Sequence, residues 1–175
     1  MQTLPLRRAM VFVTLLSALV APVHAALSNG NAIEVTYLYP NINTVYTDPA
    51  TVTGATSLNS FAGILNIGFS DTSITMTLTV NAGINGVAFD GLKFTDVNNT
   101  LSFDNLALNT VATNYAQFTA SRISYQGNSI FVNLVDLHGL AGQSIVISAV
   151  PEPETYALLL AGLGLVGFAS RRRAV

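Results

Sequence analysis

Between Ser73 and Asn81 the chain alternates without a break: Ile74, Met76, Leu78 and Val80 are apolar, and Thr75, Thr77 and Thr79 between them are hydroxylated. Successive side chains of an extended strand point to opposite faces, so this period of two puts the apolar set on a core and the threonines toward water. A helix would scatter both sets around its circumference. Ile33, Val35, Tyr37 and Tyr39 repeat the pattern and stop at Pro40, which has no N–H to give to a ladder. Leu65, Ile67 and Phe69 make a third set.

Further strands are predicted over Val87 to Thr95, Thr100 to Leu108, Gln117 to Tyr125, Ser129 to Asp136 and Gln143 to Val150. Asn85-Gly86, Asn98-Asn99, Gln126-Gly127-Asn128 and Gly139 to Gly142 supply turns between them. Ile130 to Val135 is apolar on both faces except at Asn133, which reads as a central strand. Strands recurring at short intervals with no helical pattern between them favour antiparallel pairing over a parallel βαβ sheet. The expected fold is all-β, an antiparallel β-sandwich or jelly-roll-like domain. Val111 to Phe118 is the one segment with a short-helix reading, and residues 40–60, with Pro40, Pro49 and Gly54, read as a long loop or a poorly paired edge.

Charge is distributed unevenly. Five of the seven basic residues are Arg7, Arg8 and Arg171 to Arg173, at the two ends. Between Ala26 and Val150, Glu34, Asp48, Asp71, Asp90, Asp96, Asp104 and Asp136 face only Lys93 and Arg122, a net charge of −5. Nucleic acid is therefore not an expected partner, because neutralising phosphates takes clustered Lys and Arg. The absence of cysteine excludes disulfides, thiolate metal sites and a Cys nucleophile, so stability has to come from burial and a hydrogen-bonded sheet.

The N-terminal segment reads as an address. Arg7 and Arg8 precede an apolar stretch from Ala9 to Val20, and Val23-His24-Ala25 follows with small residues at both cleavage-critical positions. Residues 1–25 are expected to be a secretory signal peptide cut by signal peptidase between Ala25 and Ala26 after passage through the secretion translocon. A retained signal anchor is the alternative, but about 12 residues at 1.5 Å each are too few for a hydrocarbon core of about 30 Å. Residues 26–149 then form one β domain, a length with room for a sizeable core but not for two.

The C-terminal 26 residues, 150–175, have their own layout. Val150-Pro151-Glu152-Pro153-Glu154 is followed by an apolar, uncharged run from Tyr156 to Ser170 and by Arg171-Arg172-Arg173. A transmembrane helix over 156–170 would reach about 22 Å, and the arginines can snorkel to the far interface while the bilayer thins. Positive residues flanking a span stay cytoplasmic, which leaves residues 26–149 outside. Pro151 and Pro153 fix φ and push their predecessors to extended geometry, so the segment is expected to stand as a stiff unpaired strand suited to a protease groove. Composition alone equally allows the prolines to insulate the domain from a permanent anchor.

Residues 150–173 resemble the PEP-CTERM sorting signal in the Val-Pro-Glu-Pro sequence, in Leu158-Leu159-Leu160 and Gly162-Leu163-Gly164 of the apolar run, and in the terminal arginine cluster. The resemblance implies an exosortase partner, a membrane-embedded Cys/His/Arg transpeptidase that recognises Pro151-Glu152-Pro153 and removes the tail. It also implies a Gram-negative exporter, transient anchoring in the inner membrane, release at the cell surface, and association with exopolysaccharide matrix and biofilm. It covers only the tail and says nothing of residues 26–149.

No catalytic signature stands out in the β domain, and the expectation is a non-enzymatic structural or adhesive surface protein. His138 follows a strand in Asp136-Leu137-His138-Gly139, but there is no G-x-S-x-G elbow, and a turn histidine is the simpler account. Paired carboxylates for glycoside cleavage work in an aromatic-walled cleft, and the chain has no Trp. No cofactor is expected; calcium is the one metal with a candidate site, at Asp90-Gly91 and Asp96-Val97-Asn98-Asn99, although the latter lacks the glycine of the EF-hand loop. Tyr37 and Tyr39 share a strand face with Ile33 and Val35, which favours core, while sugar stacking is the second reading. That second reading makes the domain a carbohydrate-binding module for exopolysaccharide.

Overall fold

The structure, a computed structural model, describes residues 27, 30–84, 86–101, 103–149 and 159–165. Among the described residues twelve strands follow in order: β1 (Ala32–Leu38), β2 (Ala50–Thr53), β3 (Ser57–Phe61), β4 (Leu65–Phe69), β5 (Ser73–Leu78), β6 (Ala82–Gly83), β7 (Gly91–Asp96), β8 (Leu106–Leu108), β9 (Ile123–Gln126), β10 (Ser129–Asn133), β11 (His138–Gly139) and β12 (Ser144–Ala149). They form two five-stranded sheets, β2-β1-β7-β10-β9 and β3-β4-β5-β12-β8, and a small pair β11-β6. Every pairing is antiparallel.

Alternation decides which face each strand buries. Ile33, Val35 and Tyr37 of β1, Leu92 and Phe94 of β7, and Ile130 and Val132 of β10 turn inward from the first sheet. Leu65, Ile67 and Phe69 of β4, Ile74, Met76 and Leu78 of β5, and Ile145 and Ile147 of β12 meet them from the second. The Phe69 and Phe94 rings touch edge to face at 6.1 Å, one from each sheet, so a single core lies between two layers. Each of these fully buried side chains stabilises the fold by about 1.5–3 kcal/mol. A smaller cluster of Leu38, Phe89 and Phe131 lies apart from that core, with the Lys93 ammonium 5.8 Å from the Phe131 ring centre.

The strands around Ile33 and Leu65 lie where the alternation put them, and β10 runs between β7 and β9 as its two apolar faces require; the strand from Ser73 ends at Leu78, three residues short of Asn81, and leaves Val80 43% exposed rather than in the core. The turn predicted at Gly127 is a two-residue hairpin loop, with Gln126 opposite Ser129 and Gly127 at φ 59, the left-handed geometry a two-residue hairpin asks of a glycine. Other expectations need correction. Val111 to Phe118 is not helical: Asn109 accepts backbone hydrogen bonds from Val111 and Ala112 and holds a turn instead, with Val111 96% exposed. Residues 40–60 contain β2 and most of β3, both edge strands, which agrees with the second of the two readings, a poorly paired edge.

The strand expected over 100–108 shrinks to β8, because Asp96 gathers the chain just before it, and a 3₁₀ turn covers Phe103–Asn105. The strand expected from Val87 begins only at Gly91. The signal peptide over 1–25, with the Ala25–Ala26 bond, and the segments 150–158 and 166–175 lie outside the described residues. Of the span expected over 156–170, residues 159–165 are described and are helical. No helix among the described residues is long and apolar enough to cross a membrane.

Candidate functional site

Two places on the molecule carry chemistry beyond packing. The first is the exit from the sheet. β12 lies between β5 and β8, with Ser148 opposite both Ser73 and Ala107 and Ala149 opposite Leu106. The Ala149 N–H donates to the Thr72 carbonyl at 2.8 Å. The chain thus reaches the last described residue before the Pro-Glu-Pro segment while still hydrogen-bonded in a five-stranded sheet. Further on, Leu159, Leu160, Leu163 and Leu165 of the helical segment are all 60–68% exposed. Val150, Pro151, Glu152 and Pro153, and Arg171, Arg172 and Arg173, lie outside the described residues.

The second place is a cleft at the end of β1. The chain turns back there because the Asn41 side chain accepts hydrogen bonds from the Asn43 N–H and the Thr44 hydroxyl, and the Tyr39 N–H donates to the Thr44 carbonyl at 3.0 Å. The return strand then pairs Tyr46 N–H with the Tyr37 carbonyl at 2.8 Å. This fold-back brings three tyrosines together: the Tyr46 ring sits 5.8 Å from Tyr37, tilted at 55°, and 5.6 Å from Tyr39, edge-on at 74°, centre to centre. Tyr37 is buried, Tyr39 is half-buried, and Tyr46 is 63% exposed. The expectation that Tyr37 and Tyr39 belong to the core holds for Tyr37, while Tyr39 packs against the core from its margin.

Beneath these rings lies Asp90, just before β7 and 6% exposed. The Tyr37 hydroxyl donates to its Oδ1 at 2.6 Å. Burial pushes the Asp90 carboxyl above its ordinary value, and the Tyr37 hydrogen bond pulls it partly back. Burial first, then the bond to Asp90, hold the Tyr37 phenol well above the ordinary tyrosine range. The three tyrosines and Asp90, with the turn after β3 and residues 80–84, line an open cleft of about 490 Å³.

The other candidates are not brought together. Asp96, offered as a hard ligand for calcium, is fully buried and turns both carboxylate oxygens on its own loop: Oδ1 accepts from the Asn98 N–H at 3.1 Å, and Oδ2 from the N–H groups of Thr100 and Leu101. It organises a turn. Asp90 is committed to the tyrosine cleft. His138 is exposed on β11, its N–H donating to the Gln117 side chain at 3.3 Å, and no hydrogen bond joins its ring to Asp136 among the described residues. Asp136 instead sits within a turn at φ 59, its carboxylate beside Gly86. Among the described residues no three His, Asp or Glu side chains are grouped to hold a metal.

Sequence reading did not find the union of Tyr46 with Asp90. Tyr46 stands in a segment that reads as a long loop or a poorly paired edge, and Tyr37 and Asp90 are 53 positions apart, a separation no local pattern spans. Comparison with known proteins bears on the other place. No curated protein and no solved structure matches the chain. A family model does match, over residues 149–173, beginning at the final residue of β12. That model is the PEP-CTERM protein-sorting motif, and the chain is a protein carrying this sorting motif directly after the last strand of an antiparallel β domain.

Proposed function

We propose that this chain is an exported surface protein whose β domain is the cargo and whose tail is a removable sorting signal. The match over 149–173 carries the reading, since that motif implies recognition by an exosortase and export in a Gram-negative bacterium. Several physical features support it. The basic N-terminal segment and apolar run suit secretion, and the arginines at 171–173 orient the tail with the acidic domain outside. The four exposed leucines of the helical segment are apolar surface that lipid would cover.

At its destination the domain works as a structural or adhesive component of the cell surface or extracellular matrix. A sheet domain without cysteines, held by one two-layered core, is suited to persist outside the cell in either redox condition. The test is the double substitution Pro151→Ala and Pro153→Ala, followed by mass spectrometry of the product and fractionation of the cells. We expect the variant to keep its tail and stay with the membrane fraction. A variant that loses the tail and reaches the same compartment as the parent overturns the reading.

A further inference from the structure

The tyrosine cleft has a hydrogen-bonding inventory that its own walls leave incomplete. A carboxylate offers about four acceptor positions, and among the described residues only the Tyr37 hydroxyl donates to Asp90. Asp90 lines the open cleft, so a ligand seated there can reach the acceptor positions that Tyr37 leaves. Donors are present as well. Asn81 lines the cleft with its Oδ1 taken by the Ala141 N–H, which leaves the amide NH₂ without a protein partner among the described residues. The Tyr39 and Tyr46 hydroxyls are in the same condition, and the Tyr46 ring is 63% exposed beside them.

Four ligand chemistries can be weighed against that inventory. An anion would meet Asp90 and a domain of net charge −5. A quaternary ammonium needs a box of separated rings, but these rings touch each other at 5.6 and 5.8 Å, and a cation has no acceptor for the phenol and amide donors. An acyl chain or apolar peptide side chain would bury Asp90 and the donors unpaired. A pyranose ring fits each element: its hydroxyls both donate and accept, and its C–H face is flat and apolar like a tyrosine ring. A volume of about 490 Å³ lies within the range of sites for small ligands, about 300–1,000 Å³.

We propose that this cleft binds a neutral saccharide segment, with a sugar ring stacked on Tyr46 and its hydroxyls bonded to the carboxylate of Asp90 and the amide of Asn81. The inference adds a ligand class to the exported domain and does not depend on how the tail is processed.

The experiment is calorimetric titration of the full chain with maltohexaose, cellohexaose, mannohexaose and chitohexaose, with tetramethylammonium as the cationic comparison. We expect saturable binding of at least one hexasaccharide. Tyr46→Ala should weaken it at least about tenfold, whereas Val111→Ala, exposed and outside the cleft, should match the parent. Tyr46→Leu keeps apolar cover over Tyr37 and removes only the aromatic face, so it reads the stacking even if the alanine variant is poorly folded. No binding of any of the four sugars, equal binding by the parent and Tyr46→Leu, or binding of tetramethylammonium alone would each overturn the proposal. The Pro151→Ala, Pro153→Ala protein carries the same cleft and should bind the sugar as the parent does, so failure of sorting and failure of binding are separate results.

Discussion

Asp90 and Asp96 are six residues apart at the two ends of β7, both buried, and they meet burial in opposite ways. Asp96 surrounds its carboxylate with three backbone N–H groups, so the charge is met by donors fixed in the loop it organises. Asp90 has one phenol. Its carboxyl is consequently raised, first by desolvation, and the sign of the resulting pH dependence follows from linkage. Below the ordinary carboxyl value of 3.8 both folded and unfolded chains carry the proton. As pH rises past that value the unfolded chain releases its proton first, so folding loses stability until the raised folded value is passed, and the loss then stays constant. Asp90→Asn keeps an oxygen to accept from Tyr37 and removes the titration. In urea unfolding at pH 3 and pH 7, the variant should gain stability relative to the parent at the higher pH. A difference between the two proteins that is equal at both pH values would show that Asp90 is not held in the raised state.

At the scale of elements, strand contacts decide what a glycine can become. A Cβ placed on Gly91 at the start of β7 would sit 2.0 Å from the Val132 carbonyl oxygen of β10, a rigid backbone neighbour. One on Gly68 in β4 would meet nothing within 4 Å. Gly91→Ala must therefore force two central strands apart and should cost about 3 kcal/mol or more, while Gly68→Ala should be neutral or gain about 0.4–1 kcal/mol by restricting the unfolded chain. Chemical denaturation of both variants checks the pair, and similar midpoints would refute the close packing of β7 on β10. These contacts also mark how far sequence could reach. The interior strands β1, β4, β5, β10 and β12 were legible because one or both faces are buried, and burial writes a period into the residues. β2 and β3 were legible only as a long loop or a poorly paired edge, since an edge strand such as Ser57-Leu58-Asn59-Ser60-Phe61 buries little and carries no such period. The loop after β7 reads as turn plus strand because the bonds that Asp96 accepts from the Asn98, Thr100 and Leu101 N–H groups leave no mark on the apolar pattern of those residues. The tail was legible for the reverse reason: its reader recognises a linear string. The cleft was half legible, as tyrosines on one strand face, and Asp90 and Tyr46 each met Tyr37 only when the chain closed.

For the molecule as a whole, the sorting motif and the folded domain compete for the same backbone. The motif match begins at Ala149, and Ala149 is the last residue of β12, bonded to Thr72 and opposite Leu106. A protease groove binds its substrate as an extended strand with its own main-chain hydrogen bonds, so a substrate still paired in a sheet has to give up those pairings first. Peeling Ala149 and Ser148 away from β5 and β8 costs a few hydrogen bonds, each worth about 0.5–1.5 kcal/mol net. Local opening of that size keeps the competent population small while leaving the fold intact. A spacer Gly-Ser-Gly-Ser-Gly-Ser inserted after Ala149 separates the two demands, because the motif can then be bound while β12 stays paired. We expect removal of the tail to become several-fold faster in a pulse-chase measurement, with the final location of the domain unchanged and its thermal unfolding midpoint the same. Equal rates with and without the spacer would mean that the enzyme reaches its cut without disturbing β12, and the pairing of β12 would then have no part in setting the pace of processing.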